Sequence, residues 1–119
     1  MQYAILCYHD EDLVESWSQA EDAAVIAKRR QVTDRLAAEG RLGPVARLMP
    51  TTAATTVRNG SEPLVLDGPF AETKEQLLGF YIVECESLDE AIGIARELGE
   101  GESGLFEVRP LRPAPGASA

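Results

Sequence analysis

The densest concentration of potentially reactive side chains is the run DGPFAETKEQLLGFYIVE, in which Asp67 is followed by Glu72, Thr73, Lys74 and Glu75 before an uninterrupted apolar stretch begins. Turn, charged segment and strand succeed one another without a linker, so the polar groups are delivered to the mouth of a sheet. An aspartate at the edge of a partly dry cavity has its pKa raised toward the working range of a general base, which makes Asp67 the first candidate for proton transfer. Glu72, Lys74 and Glu75 then form a supporting polar shell, with Lys74 able to pair with Asp67 or with an anionic ligand. The same residues also suit a plain role. Asp-Gly-Pro makes a good turn whose Asp side chain accepts backbone N–H bonds, and a charged segment of this kind is commonly an exposed loop.

Arg29 is the second candidate. It lies in the apolar stripe of a helical pattern, four residues after Val25 and seven before Leu36, and its forked donors suit a carboxylate or an enolate-like oxyanion. An arginine that covers apolar surface with its stem explains the same placement. His9 is the only histidine, next to Asp10, Glu11 and Asp12; it can titrate near neutrality or mark a solvated strand end. Glu107 and Arg109 alternate with Phe106 and Val108, so both polar groups share one face and either pair across it or line a site. No spaced His/Cys set or EF-hand glycine supports a metal, and none is expected; no sequence feature calls for a cofactor.

The elements that must position these groups follow from periodicity. Residues 2 to 8 read as a strand buried on both faces, and 12 to 18 as a short helical turn bringing Leu13 and Trp17 to the sheet. Apolar positions Val25, Ile26, Val32, Leu36 and Ala37 predict a helix over 21–39 that ends at Gly40. Gly43-Pro44 makes 41–50 a weak edge or bulged strand. Thr55 to Arg58 and Pro63 to Leu66, joined through Asn59-Gly60, predict a β-hairpin. Leu77 to Glu84 is the strongest strand. Ser87 and Glu90 have the spacing of a reciprocal helix N-cap, Leu88, Ala91, Ile92, Ala95 and Leu98 give the helix one apolar face, and 105–111 is a last strand. Residues 1–112 form one domain, and 113–119, rich in Pro, Gly, Ala and Ser, read as a disordered tail.

Cys7 and Cys85 each sit in an apolar strand-like run and are expected to be buried free thiols at opposite sheet edges. Eleven Lys+Arg against twenty Asp+Glu, a formal net charge of −9, repel phosphate backbones and acidic lipid, so neither direct nucleic-acid binding nor a membrane role is expected. The start of the chain lacks the basic region of a secretory signal, and the expected location is cytoplasmic.

With the hairpin set aside, the order is strand, helix, strand, strand, helix, strand. This is a ferredoxin-like βαββαβ α+β domain with an inserted β-hairpin and both helices on one face. The other face stays apolar and bare, more than monomers usually expose. The economical cover is a second copy about a twofold axis, giving a homodimer and a dimeric α+β barrel.

DGPFAETKEQLLGFYIVE, the preceding TTAATTVRNG hairpin and the terminal EVRPL together resemble the DGPF subgroup of the YCII-related proteins, over roughly residues 1 to 111. The resemblance implies a ferredoxin-like domain that assembles as a dimeric barrel. It also implies kinship with small degradative enzymes such as muconolactone isomerases and dechlorinating enzymes, and for DGPF proteins an association with extracytoplasmic-function sigma factors. Better-studied YCII proteins pair a histidine at the start of the first long helix with an aspartate; here that histidine position falls at about Arg29, which cannot shuttle protons, so histidine-based catalysis does not carry over. The expectation is a homodimeric small-molecule-binding domain, with isomerase-, lyase- or hydrolase-like chemistry on an organic anion or carbonyl compound, Asp67 as proton acceptor and Arg29 as anion clamp. The alternative is a non-catalytic accessory of a sigma factor, its acidic surface facing a basic partner. A monooxygenase reading lacks a pocket signature, since Trp17 stands alone.

Overall fold

A computed structural model describes residues 1–113 of the chain; most of the 113–119 tail lies outside the described residues. The first strand, β1 (Gln2–His9), is followed by a short helix α1 (Glu11–Glu15) and a long helix α2 (Gln19–Ala38). Then come β2 (Leu42–Arg47), a 3-10 turn at Thr51–Ala53, β3 (Thr55–Arg58), β4 (Leu64–Asp67), β5 (Gln76–Glu84), α3 (Leu88–Leu98) and β6 (Leu105–Pro110).

Local chemistry fixes the helix ends. Ser18 Oγ accepts the Glu21 N–H at 3.1 Å while the Glu21 carboxylate accepts the Ser18 N–H at 3.1 Å, a complete capping box. At the other end Gly40, at φ +70°, lets the Arg41 N–H reach the Leu36 carbonyl and its own N–H the Ala37 carbonyl, a Schellman closure. The sequence pattern placed the reciprocal cap at Ser87 instead. There Ser87 does accept the Glu90 N–H, but the Glu90 carboxylate turns away to the Glu86 N–H and to Arg41. Competition from a cationic neighbour redirects it.

The main sheet has the order β2-β5-β1-β6, and each neighbouring pair is antiparallel. β2 is an edge strand with a register shift between Leu42 and Val45, where Pro44 offers no ladder donor. β3 and β4 pair with each other as a separate two-stranded sheet. The result, among the described residues, is an α+β arrangement with an antiparallel sheet and three α-helices, compatible with a ferredoxin-like fold.

One face of the sheet makes the core. Tyr3, Ile5 and Cys7 of β1, Tyr81 and Val83 of β5, and Cys85 pack with Val32 and Leu36 of α2 and with Ala91, Ile94, Ala95 and Leu98 of α3. Ile94 thus takes the inward place that periodicity assigned to Leu88, which overhangs the first turn and is exposed. Both cysteines are buried and free. The opposite face carries Ala4, Leu6, Tyr8, Phe80, Ile82 and, from β2, Ala46, all only half-buried.

The β3–β4 pair is bare on both sides: Val57 and Val65 stand opposite each other at 57% and 65% exposure, with Leu64 and Leu66 directed to the other side and also exposed. The molecule is correspondingly flat, 45 × 45 × 20 Å, with a Cα radius of gyration of 16.3 Å where a compact chain of this length has about 13–14 Å.

Candidate functional site: a cavity with Arg29 and Glu102 at its inner end

Only the C-terminal half of α2 meets the sheet closely. Val32 and Leu36 are buried, but Val25 is half-buried and Ile26 exposed. Beneath that raised half, Gly79 of β5 contributes no side chain, and it has to be glycine because a Cβ there would stand 2.7 Å from the Ala46 carbonyl oxygen. The gap is a cavity of about 260 Å³, bounded by α1, α2, β2 and the adjoining ends of β1 and β5. Val14, Val25, Ile26, Val45, Leu48 and Leu78 give it apolar walls. This volume lies just below the usual range for drug-sized ligands and suits a smaller molecule.

Its most buried polar members identify the inner end. The Glu102 carboxylate, 8% exposed, accepts from Arg29 Nη2 at 2.5 Å and from Arg29 Nε at 3.3 Å, and from Lys28 Nζ at 2.7 Å. Arg29 Nη1 donates to the Tyr81 hydroxyl at 3.4 Å, and its guanidinium lies 5.3 Å from the Phe106 ring centroid. Burial works against the charge on Arg29, but the hydrogen bonds to Glu102 and Tyr81 outweigh it and hold the arginine protonated beyond its ordinary range. Burial likewise pushes Glu102 up, yet the bonds from Arg29 and Lys28 win and its carboxyl lies below the usual value. Cys7, also in the lining, is pushed up to about 11 by burial, an effect that Arg29 opposes and Glu102 reinforces.

The outer end is braced by other pairs. Arg47 grips Asp22 with two bonds of 3.0 and 2.5 Å, and hydrogen bonding from that arginine lowers the Asp22 carboxyl. Glu11 ties α1 down: its N–H donates to the Gln76 side chain at 3.0 Å, and its carboxylate accepts the Thr51 N–H at 2.8 Å and the Thr51 hydroxyl. His9 lines the cavity with Trp17, their rings edge to face at 6.4 Å. His9 Nδ1 accepts the Asp10 N–H at 2.8 Å, which leaves the proton on Nε2 to donate to Ser103 Oγ at 3.2 Å. The loop carrying Glu102 and Ser103 therefore rests on this end of the sheet; Gly104 permits the close approach, since a Cβ would stand 2.9 Å from the His9 ring.

Of the residues singled out in the sequence, Arg29 and His9 line this cavity, whereas Asp67, Glu72, Lys74, Glu75 and Arg109 do not. Asp67 ends β4 opposite Thr55 and is exposed. Its turn is held by backbone chemistry, with the Gly68 N–H on the Ala54 carbonyl at 2.7 Å and the Thr56 hydroxyl on the Gly68 carbonyl at 2.7 Å. The expected meeting of Asp67 with Arg29 does not occur within one chain, because β3–β4 pairs only with itself and stands away from the main sheet. Glu72 and Lys74 are exposed, Glu75 is half-buried, and Arg109 pairs with Glu107 at 3.1 Å on the bare face. Phe70 is 89% exposed.

Sequence reasoning missed Glu102 and Tyr81. Tyr81 reads as one more apolar strand residue, and Glu102 lies among glycines in a chain rich in carboxylates. The available signal was Arg29 itself, since an arginine in an apolar stripe requires a counter-ion. Among the described residues no group of three or more His, Cys, Asp or Glu side chains is assembled that could hold a metal ion, and no helix is long and apolar enough to cross a membrane.

The chain is similar over 114 residues, at 54% identity, to an uncharacterized protein of Rhizobium meliloti (strain 1021), an alignment spanning 93% of this chain and 92% of that protein. The model of the YCII-related domain matches residues 1–115. With the match running through both central strands, both long helices and the cavity beneath α2, the chain belongs to the YCII-related domain family.

Proposed function

We propose that this protein is a homodimeric binder of a small organic carbonyl compound or organic anion, and that the cavity beneath α2 is its site. The observation that carries this reading is the cavity itself: apolar walls converge on a largely buried ion pair of Arg29 and Glu102, whose carboxylate Lys28 also holds from outside the lining. A preformed apolar hollow with a few convergent polar groups is the general form of a small-molecule site.

What the single chain leaves uncovered supports the dimer. Two apolar surfaces, the Leu6–Phe80 side of the main sheet and the β3–β4 pair, are open, and an isolated two-stranded sheet is marginal in water. A second copy about a twofold axis covers both with self-complementary surface. In this reading Asp67, Glu72, Lys74 and Glu75 reach a site only across the interface, at the partner's cavity. Any isomerase-, lyase- or hydrolase-like step would use Asp67 in that position as proton acceptor.

A thermal-shift screen of small ketones, enolisable acids and carboxylates tests the site, run on wild type and on the cavity-filling Val25→Trp. Compounds that raise the Tm of wild type and leave the variant unmoved support the cavity. Equal shifts in both proteins would exclude it.

A further inference from the structure

The Tyr81 hydroxyl has an unused hydrogen. Its oxygen accepts from Arg29 Nη1 at 3.4 Å, and no oxygen among the described residues accepts its proton in return. Tyr81 as a whole is 8% exposed, yet it lines the cavity together with Gly79, which puts no side chain into it. Arg29 is less available. Its Nε and Nη2 are both engaged by Glu102, so a ligand carboxylate at the guanidinium would sit against a largely buried internal carboxylate of like charge.

A carbonyl oxygen makes no such demand. It needs one donor, and any negative charge it develops is favoured by the Arg29 guanidinium behind the phenol. The carbon skeleton has Val25, Ile26, Val45 and Leu78 to lie against.

We propose that Tyr81 is the hydrogen-bond donor of the site, presenting its O–H to a carbonyl or enolate oxygen of the ligand while Arg29 Nη1 supports the phenol oxygen from behind. This rests on the reading of the cavity as a ligand site and narrows the ligand to the carbonyl class.

The test uses acetophenone labelled with carbon-13 at the carbonyl, and its isostere α-methylstyrene, in which CH2 replaces the oxygen. Both are titrated into wild type and Tyr81→Phe, which removes only the hydroxyl. Wild type is expected to bind acetophenone roughly three- to tenfold more tightly than the isostere, as one net hydrogen bond implies, and to move the carbonyl carbon resonance downfield. In Tyr81→Phe the preference and the downfield shift are both lost while α-methylstyrene binding persists. Equal binding of the two probes to wild type, or an undiminished carbonyl shift in the variant, overturns the Tyr81 assignment and leaves the cavity reading standing. Binding of neither probe to wild type removes the cavity reading and the assignment together.

Discussion

Replacing Glu102 with glutamine isolates the ion cluster at the inner end of the cavity. The substitution keeps the shape and one acceptor oxygen but leaves Arg29 and Lys28 facing each other without the carboxylate that sits 2.5 and 2.7 Å from them. Breaking a fully buried pair costs about 3–5 kcal/mol. Glu102 is 8% exposed, but Arg29 and Lys28 are 23% and 33% exposed, and water screens them; the expected loss is about 2–3 kcal/mol at pH 7. For a chain of this size that lowers Tm by roughly 10 °C, compared at one protein concentration. The pH dependence gives a sharper signature. Because the folded-state pKa of Glu102 is lowered, its contribution is fully present above the ordinary carboxyl value of 4.5 and is lost as pH falls through the lower folded value. Wild type should therefore keep its full advantage over Glu102→Gln from pH 7 to about 5 and lose it progressively below 4.5. Thermal melts of both proteins between pH 7 and pH 3 provide the measurement. A Tm gap that stays constant over the whole range, or that is absent at pH 7, would refute the reasoning.

Ser18→Ala, which removes half of the complete capping box, should cost about 1 kcal/mol in urea unfolding and more than Ser87→Ala, whose partner Glu90 is engaged elsewhere. Gly79→Ala should cost about 1–3 kcal/mol, since the added carbon meets the backbone of β2 at 2.7 Å rather than a movable side chain; unchanged stability would contradict the register between the two strands. Cys7, with its thiol pushed up to about 11, should resist a disulfide reagent at pH 8 in the native protein and react on unfolding, so labelling within seconds would disprove its burial. Leu6→Glu, placed in the middle of the bare sheet face, should convert a species of twice the chain mass into a monomer in sedimentation velocity with the far-UV spectrum retained. A wild type that sediments as a single chain at micromolar concentration would defeat the dimer.

The architecture was legible wherever a local signal acts alone. Alternation and chain punctuation located all six strands of the described residues, and Asn59-Gly60, Gly40 and Gly43-Pro44 marked a turn, a helix end and an irregular edge that the fold contains. Cap competition was not legible. Ser18 and Glu21 have the same spacing as Ser87 and Glu90, and only the placement of Arg41 beside Glu90 decides which box closes. The site divided along the same line. Arg29 announced itself as a charge in an apolar stripe, but its partner comes from a loop 73 residues further on, a separation over which a sequence carries no pairing information. Asp67 drew attention because the run around it is unusual. Its surroundings show what the peculiarity secures in one chain, a turn closed by Gly68 and Thr56 at the end of a hairpin.

Amide chemical shifts followed during titration with acetophenone test the central claim most directly. The account predicts changes concentrated at Val25, Ile26, Gly79 and Tyr81, around the cavity, with the open groove between α3 and β6, lined by Ile92, Phe106 and Val108, left unaffected. Changes confined to that groove or to β3–β4, with the amides beneath α2 unmoved, would contradict it.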